Sequence, residues 1–277
     1  MKTLNTLLIT LALALLVAPP AAAQYSAPKM NAPNSGNTEV AVGEKYHIQF
    51  NGGLWNPTVY GLIASSQFGI TGTQISFEKD LKFAQKRFKE FGVELRPTKR
   101  NKFYAQYTPI TYASDTTLTR EIVFNGQKFA VNLPVKATYD WKVWRIGYEI
   151  DVVSMSRGFV GLLFEAQMTE FGASVKAPAT AEFTKAKGPL PALGLIARAY
   201  PVKNASITAQ VTGLKVPDVS PDYQGSYADW NIYGTFNVNQ YAGVQAGWRR
   251  VTTNVVIKKD SGNTLFKGIW FGAVVRY

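Results

Sequence analysis

The sequence predicts an all-β protein: a closed antiparallel up-and-down β-barrel whose strands cross a membrane. Three observations predict it. Stretch after stretch alternates apolar and polar residues with a period of two, and helical periodicity is scarce. The apolar faces are repeatedly about five residues long, which suits a tilted strand of ~9–11 residues crossing a bilayer. The chain opens with an export signal and holds no cysteine in its 277 residues, so disulfides do not supply its stability.

The export signal comes first. Lys2 precedes the apolar run "LLITLALALLVA", and Ala21-Ala22-Ala23 gives the small-residue site for cleavage before Gln24. No cysteine follows that run, which excludes a lipid-anchored lipoprotein. Residues 24–43, rich in Pro, Asn, Ser and Gly, read as a flexible leader, and 44–277 as the barrel. No later apolar stretch is long enough for a helical span. The net charge is +12, about +11 once Lys2 is removed. Such an excess favours anionic neighbours, lipid phosphates and lipopolysaccharide first; export argues against nucleic acid.

The strands follow in order: 44–64, 84–97, 103–124, 127–152, 158–174, 190–201, 204–215, 226–238, 240–257 and 264–277. The expected count is ten, with twelve next and eight after it. An even number returns both termini to the same side, as in single-chain bacterial barrels. The joints at 154–157, 202–203 and Asn239 are tight, and 97–101 is moderately so. Segments 65–83, 175–189, 216–225 and 258–263 read as longer outer loops. The segments either side of the Asn125-Gly126 hairpin signal are about twice a membrane crossing. Either that hairpin stands above the membrane, or its arms break near Ala113-Ser114 and Pro134.

Within the strands, polar residues point inward and apolar ones outward. Trp144, Ile146, Tyr148 and Ile150 face Arg145, Gly147, Glu149 and Asp151 across the backbone, and Val160, Leu162 and Phe164 oppose Gly161, Leu163 and Glu165. In this register Glu90, Glu94, Arg96, Arg145, Glu149, Asp151, Glu165, Arg198 and Arg249 fall in the lumen. Opposite charges in a narrow interior would pair into a plug, because open channels need more strands than ten. Trp144, Trp230 and Trp248 are candidates for an interfacial girdle. Lys86, Arg87 and Lys89 are candidates for contacts to lipopolysaccharide phosphates on the outer side.

The last strand, "GIWFGAVVRY", sets Ile269, Phe271, Ala273, Val275 and Tyr277 against Trp270, Gly272, Val274 and Arg276. A terminal aromatic, apolar residues two and four before it, and a glycine five before it resemble the C-terminal signal of bacterial outer-membrane β-barrels. The family's usual last residue is Phe; here it is Tyr277. The resemblance implies that Gly272, Val275 and Tyr277 form the signal read by the barrel assembly machinery. It also implies that this strand then closes the barrel against the first. In construction the chain is similar to small barrels of the OmpA, OmpW and OmpX type.

Chemistry finds little support. The single histidine, His47, is followed two residues later by Gln49, where a deacylase-type His-x-Ser would need serine. Ser65, Ser66 and Ser76 are the other serines weighed as nucleophiles. Asp218, Asp222 and Asp229 lie among turn residues, and a polar loop is the reading preferred over a calcium site. No cofactor motif is present. The expected function is a non-enzymatic outer-membrane barrel with a side-chain-filled charged lumen and exposed loops. The alternatives are a narrow pore for small solutes and, last, a lipid-modifying enzyme.

Overall fold

The computed structural model describes residues 41–215 and 223–277; the export signal, most of the leader, Asp218 and Asp222 lie outside the described residues. Thirteen strands follow in order: β1 Ile48–Ser65, β2 Ile75–Ser76, β3 Phe88–Leu95, β4 Asn101–Thr117, β5 Ile122–Phe124, β6 Gln127–Phe129, β7 Pro134–Met155, β8 Gly158–Lys176, β9 Ala181–Val202, β10 Ala205–Lys215, β11 Tyr223–Asn237, β12 Ala242–Ile257 and β13 Asp260–Arg276. β2 only appends to β1, and β5 and β6 form a separate two-stranded sheet. The other ten pair antiparallel, each with its neighbour in sequence, and β13 pairs with β1. The sheet therefore closes and leaves no edge, as hydrocarbon requires.

The seam runs without a break from Gln49↔Arg276 to Ser65↔Asp260. Beyond it, the Tyr277 N–H donates to the Ile48 carbonyl at 2.8 Å, and the His47 and Ile48 N–H groups both donate to the Tyr277 carbonyl. Closure thus uses the chain to its last residue. At Gly272 an added Cβ would meet the Gly52 carbonyl oxygen and the Trp270 ring, each at 3.0 Å. A larger residue would need the Gly52 backbone or the Trp270 ring to give by a few tenths of an ångström. The Trp270 ring covers this gap from inside and donates its indole N–H to Asn231 Oδ1 at 2.8 Å.

Alternation sorts the side chains as the sequence indicates. Trp144, Trp230 and Trp248 face outward with Ile146, Phe164 and Phe271 in an exposed apolar belt, while Arg145, Glu165, Asp229 and Arg249 are buried. A bulge between Asp151 and Val153 turns both Val152 and Val153 outward. Short connections at 96–100, 156–157, 203–204 and 238–241 cluster at the end that holds the start of β1 and Tyr277. In barrels of this kind the short turns face the periplasm.

At the other end the structure departs from the expected map. Segments 175–189 and 258–263 are not loops: β8 and β9 continue to a turn at 177–180, and β12 and β13 to one at 258–259. Their upper arms alternate polar with small residues, a pattern that pairs well as strand but carries no apolar face to announce it. The long hairpin also resolves by a break. β4 ends at Thr117 and β7 starts at Pro134, and between them β5 and β6 fold aside around Asn125 and Gly126. Both turn residues have φ of +52° and +80°, the left-handed pair that a two-residue Asn-Gly turn requires. Leu118, Ile122, Phe124 and Phe129 drive the break, because folding aside buries all four. The count stays at ten barrel strands. Strand one also starts later than the sequence suggests; residues 41–47 instead lie across the terminal end, with the Val42 N–H donating to the Lys203 carbonyl.

Candidate functional site

The lumen has two storeys. The one nearer the loops is apolar. Phe266 of β13 sits among Trp55 (β1), Tyr112 (β4), Tyr139 and Trp141 (β7), with ring centroids 4.9 Å apart for Trp141 and 6.2–6.4 Å for the others. From above, segment 66–87 drops Ile75, Phe77, Leu81 and Phe83 into the mouth, and the β5–β6 hairpin adds Ile122, Phe124 and Phe129. Arg120 fastens the two insertions together, donating to both Asp80 carboxylate oxygens at 2.9 and 2.6 Å and to the Gln74 carbonyl. Asp80 also accepts the Ser76 N–H at 2.7 Å. The Arg120 hydrogen bond, opposed by partial burial, holds the Asp80 carboxyl below its usual range. Each large apolar side chain so buried contributes about 1.5–3 kcal/mol.

Toward the termini the lumen is ionic. Arg249 (β12) donates to Asp229 (β11) at 2.8 and 3.1 Å and pairs with Glu90 (β3). Arg145 (β7) pairs with the same Asp229 and lies 4.0 Å from Glu165 (β8). Glu165 accepts from Tyr104 (β4) at 2.7 Å and Gln167 at 2.8 Å. Five strands are thus joined by one chain of charges, to which Tyr104 adds β4 through its hydroxyl. Below it Lys102 pairs with Glu149 and, at 3.3 Å, with Asp151, its ammonium 3.8 Å from the centre of the Phe159 ring. Burial without such partners would cost several kcal/mol per charge.

The lowest layer is built around a residue that precedes β1. Glu44 pairs with Arg96 at 2.6 Å and with Arg198 at 3.0 Å, and accepts from Tyr200. Burial alone would raise its carboxyl, but Arg198 and Arg96 together bring it down to about 2. Tyr46 donates to Glu94, and Arg276 donates to Gln49 at 2.6 Å and Asn237 at 2.8 Å. Arg249 meets Trp55 at the storey boundary, its guanidinium 4.8 Å from the indole centre.

All nine lumen positions read from the sequence therefore lie inside the barrel: Glu90, Arg96, Arg145, Glu149, Asp151, Glu165 and Arg249 are buried, and Glu94 and Arg198 partly so. Sequence reasoning passed over Glu44, Lys102, Asp229 and Arg276 as members of the network, and Asp229, read as part of a polar loop, lies buried within β11. It also passed over the whole aromatic storey. Asp229 and Arg276 stood on polar faces and were legible as inward; Lys102 fell just outside the strand drawn at 103. The rim cations Lys86, Arg87 and Lys89 are all exposed, and Lys86 also donates to the Thr111 carbonyl at 3.1 Å. Val275 and Tyr277 point outward at the terminal end, and Gly272 sits in the seam.

Besides a hollow of about 80 Å³ at the loop end, between Phe124, Tyr139, Ala173 and Thr264, two more remain in the lumen among the described residues. One, of about 120 Å³, lies within the ionic storey and is lined by the amides Gln49, Asn51, Gln106, Gln210, Asn231 and Gln245 besides the charges. That is room for a few waters. The other, of about 780 Å³, opens at the terminal end between Glu44, His47, Arg96, Phe159 and Tyr277. His47 is exposed there, whereas Ser65, Ser66 and Ser76 lie at the opposite end of β1, roughly 60 Å away at ~3.3 Å per residue. Among the described residues no group of three acidic or histidine side chains is placed to hold a metal ion.

No family model and no curated protein sequence matches the chain. Solved structures do. The outer-membrane protease OmpT from Escherichia coli superposes with a TM-score of 0.59 at 9% identity, covering 87% of this chain and 100% of OmpT. Ail, the attachment invasion locus protein of Yersinia pestis, gives 0.37 at 7% identity over 82% of this chain and 99% of Ail. A FadL homologue of Pseudomonas aeruginosa gives 0.37 at 7% identity, over 84% of this chain and 90% of its own. All are outer-membrane β-barrels. At these identities the OmpT match speaks to fold: the chain has the fold of the bacterial outer-membrane β-barrels, with ten strands.

Proposed function

We propose that this is a non-enzymatic protein of the bacterial outer membrane, closed to solutes and presenting its loop end to the outside. The observation that carries the closed lumen is Arg249. It bridges Glu90 and Asp229 from opposite walls directly beneath Trp55 and the aromatic storey, so the two fillings abut with no layer between them. Cleavage before Gln24, insertion by the barrel assembly machinery through Gly272, Val275 and Tyr277, and outer-rim contacts of Lys86, Arg87 and Lys89 with lipopolysaccharide phosphates belong to the same reading. The non-enzymatic part rests on His47, which is the sole histidine and stands far from the serines weighed with it.

Single-channel recording in planar bilayers tests the proposal. The purified barrel is expected to be electrically silent. Steady conductance steps would instead favour a narrow pore, the reading that the 120 Å³ polar hollow supports. In that case Arg249→Ala should enlarge the steps, since the hollow lies against Arg249. A phospholipid or peptide hydrolysis activity that His47→Ala abolished would overturn the non-enzymatic part.

A further inference from the structure

The outward face carries two cations that the lumen network does not use. Arg250 of β12 and Lys267 of β13 are direct cross-strand partners, and both are exposed. Like charges directly opposite one another repel. Neither has a carboxylate partner among the described residues; Lys267 instead lies 4.5 Å above the Tyr60 ring, and Arg250 pairs in register with Trp230. Their position along the strands is specific. Toward the terminal end the next outward residues are Trp248, Ile269 and Phe271, all in the exposed apolar belt. Toward the loop end they are Thr252 and Asn254 on one strand and Leu265 and Asn263 on the other. The pair stands where hydrocarbon gives way to headgroups.

We infer that Arg250 and Lys267, with Tyr60 and Trp230 as walls, form a site for the phosphorylated headgroup of an outer-leaflet lipid of the lipid A type. An anionic phosphate would relieve the repulsion between the two cations, Arg250 holding it in the fork geometry that guanidinium offers and Lys267 as a point charge. The acyl chains of the same molecule would lie on Trp248, Ile269 and Phe271. That combination distinguishes an amphiphile from a free ion, which would have no use for the apolar surface beneath. The site lies on different strands from Lys86, Arg87 and Lys89.

The test uses the full barrel in detergent micelles and native mass spectrometry. Bisphosphorylated lipid A is expected to stay bound to the wild-type protein. Its dephosphorylated form should bind at least tenfold more weakly, and excess inorganic pyrophosphate should not displace the lipid. The double variant R250Q/K267Q should lose at least tenfold in retention, R250K/K267R should keep most of it, and K136Q, on the exposed loop end, should change it less than twofold. Equal binding of both lipid forms would overturn the proposal, as would displacement by pyrophosphate or an unaffected double variant. The wild-type comparison of the two lipids holds whether or not the variants fold.

Discussion

Phe266 and Arg249 both close the lumen, and they do so by opposite means. Around Phe266 the filling is aromatic and needs only volume: any apolar side chain of similar size meets the same neighbours. Around Arg249 each buried charge needs a counter-charge: Glu90 has Arg249 as its ion-pair partner, and Asp229 is shared between Arg249 and Arg145. The apolar storey should therefore tolerate conservative exchange, and the ionic one should not tolerate single deletions.

The sharpest way to break this comparison is Arg249→Ala. It strips the buried Glu90 carboxylate of its ion-pair partner and leaves Asp229 to Arg145 alone, and a loss of about 3–5 kcal/mol is expected in urea unfolding followed by gel mobility shift. A loss below about 1 kcal/mol would mean that water already reaches the network. Phe266→Ala should cost about as much, ~3–5 kcal/mol, by opening a cavity. Phe266→Met should cost much less, which no substitution of Arg249 by a neutral residue is expected to match, and the bilayer should remain silent because the ionic storey is intact.

Acid should divide the storeys next. Glu44 is depressed from an ordinary 4.5 to about 2, so its contribution is present above pH 4.5 and is lost as pH falls toward 2. The upper bound is about 3 kcal/mol at ~1.4 kcal/mol per pH unit. Hydrogen exchange should accelerate in residues 41–47 over that interval while Trp141 and Phe266 stay protected. Smallest is Gly126→Ala in the hairpin turn, where φ is +80° and the new Cβ would lie 3.0 Å from the Gln67 carbonyl. We expect a local loss of about 1–2 kcal/mol, seen as faster proteolysis of the β5–β6 hairpin with the barrel's gel shift unchanged.

The barrel and its ionic storey were legible in the sequence because alternation leaves a charge on an apolar strand nowhere to go but inward. Glu90, Arg145, Asp151 and Arg249 each sit between two outward apolar neighbours or at the end of such a run. The aromatic storey was illegible for the same reason reversed. Trp55, Ile110, Trp141 and Phe266 are apolar, and period-two reading sends apolar residues outward by default. Asn56, Thr58, Thr111, Asp140, Lys142 and Lys267, polar residues on the outward face of those strands, mark the inversion. Glu44 was hidden differently. Its partners are Arg96, Arg198 and Tyr200, far apart in sequence, and no local pattern announces a contact that only barrel closure creates.

The filling of the apolar storey is unevenly shared along the chain. Its inserted segments and most of its rings come from Trp55 to Val143, while the later strands supply mainly Ala173, Val175, Tyr227, Val251 and Phe266. The earlier part of the polypeptide thus carries a ready-made mandrel, and the later part is a sleeve wound around it. The sleeve can be fastened only once β13 reaches β1, and Phe266 is carried into the middle of the mandrel by that same strand. Zipping the seam and seating the last ring are one event, so a barrel that seals has also been stoppered.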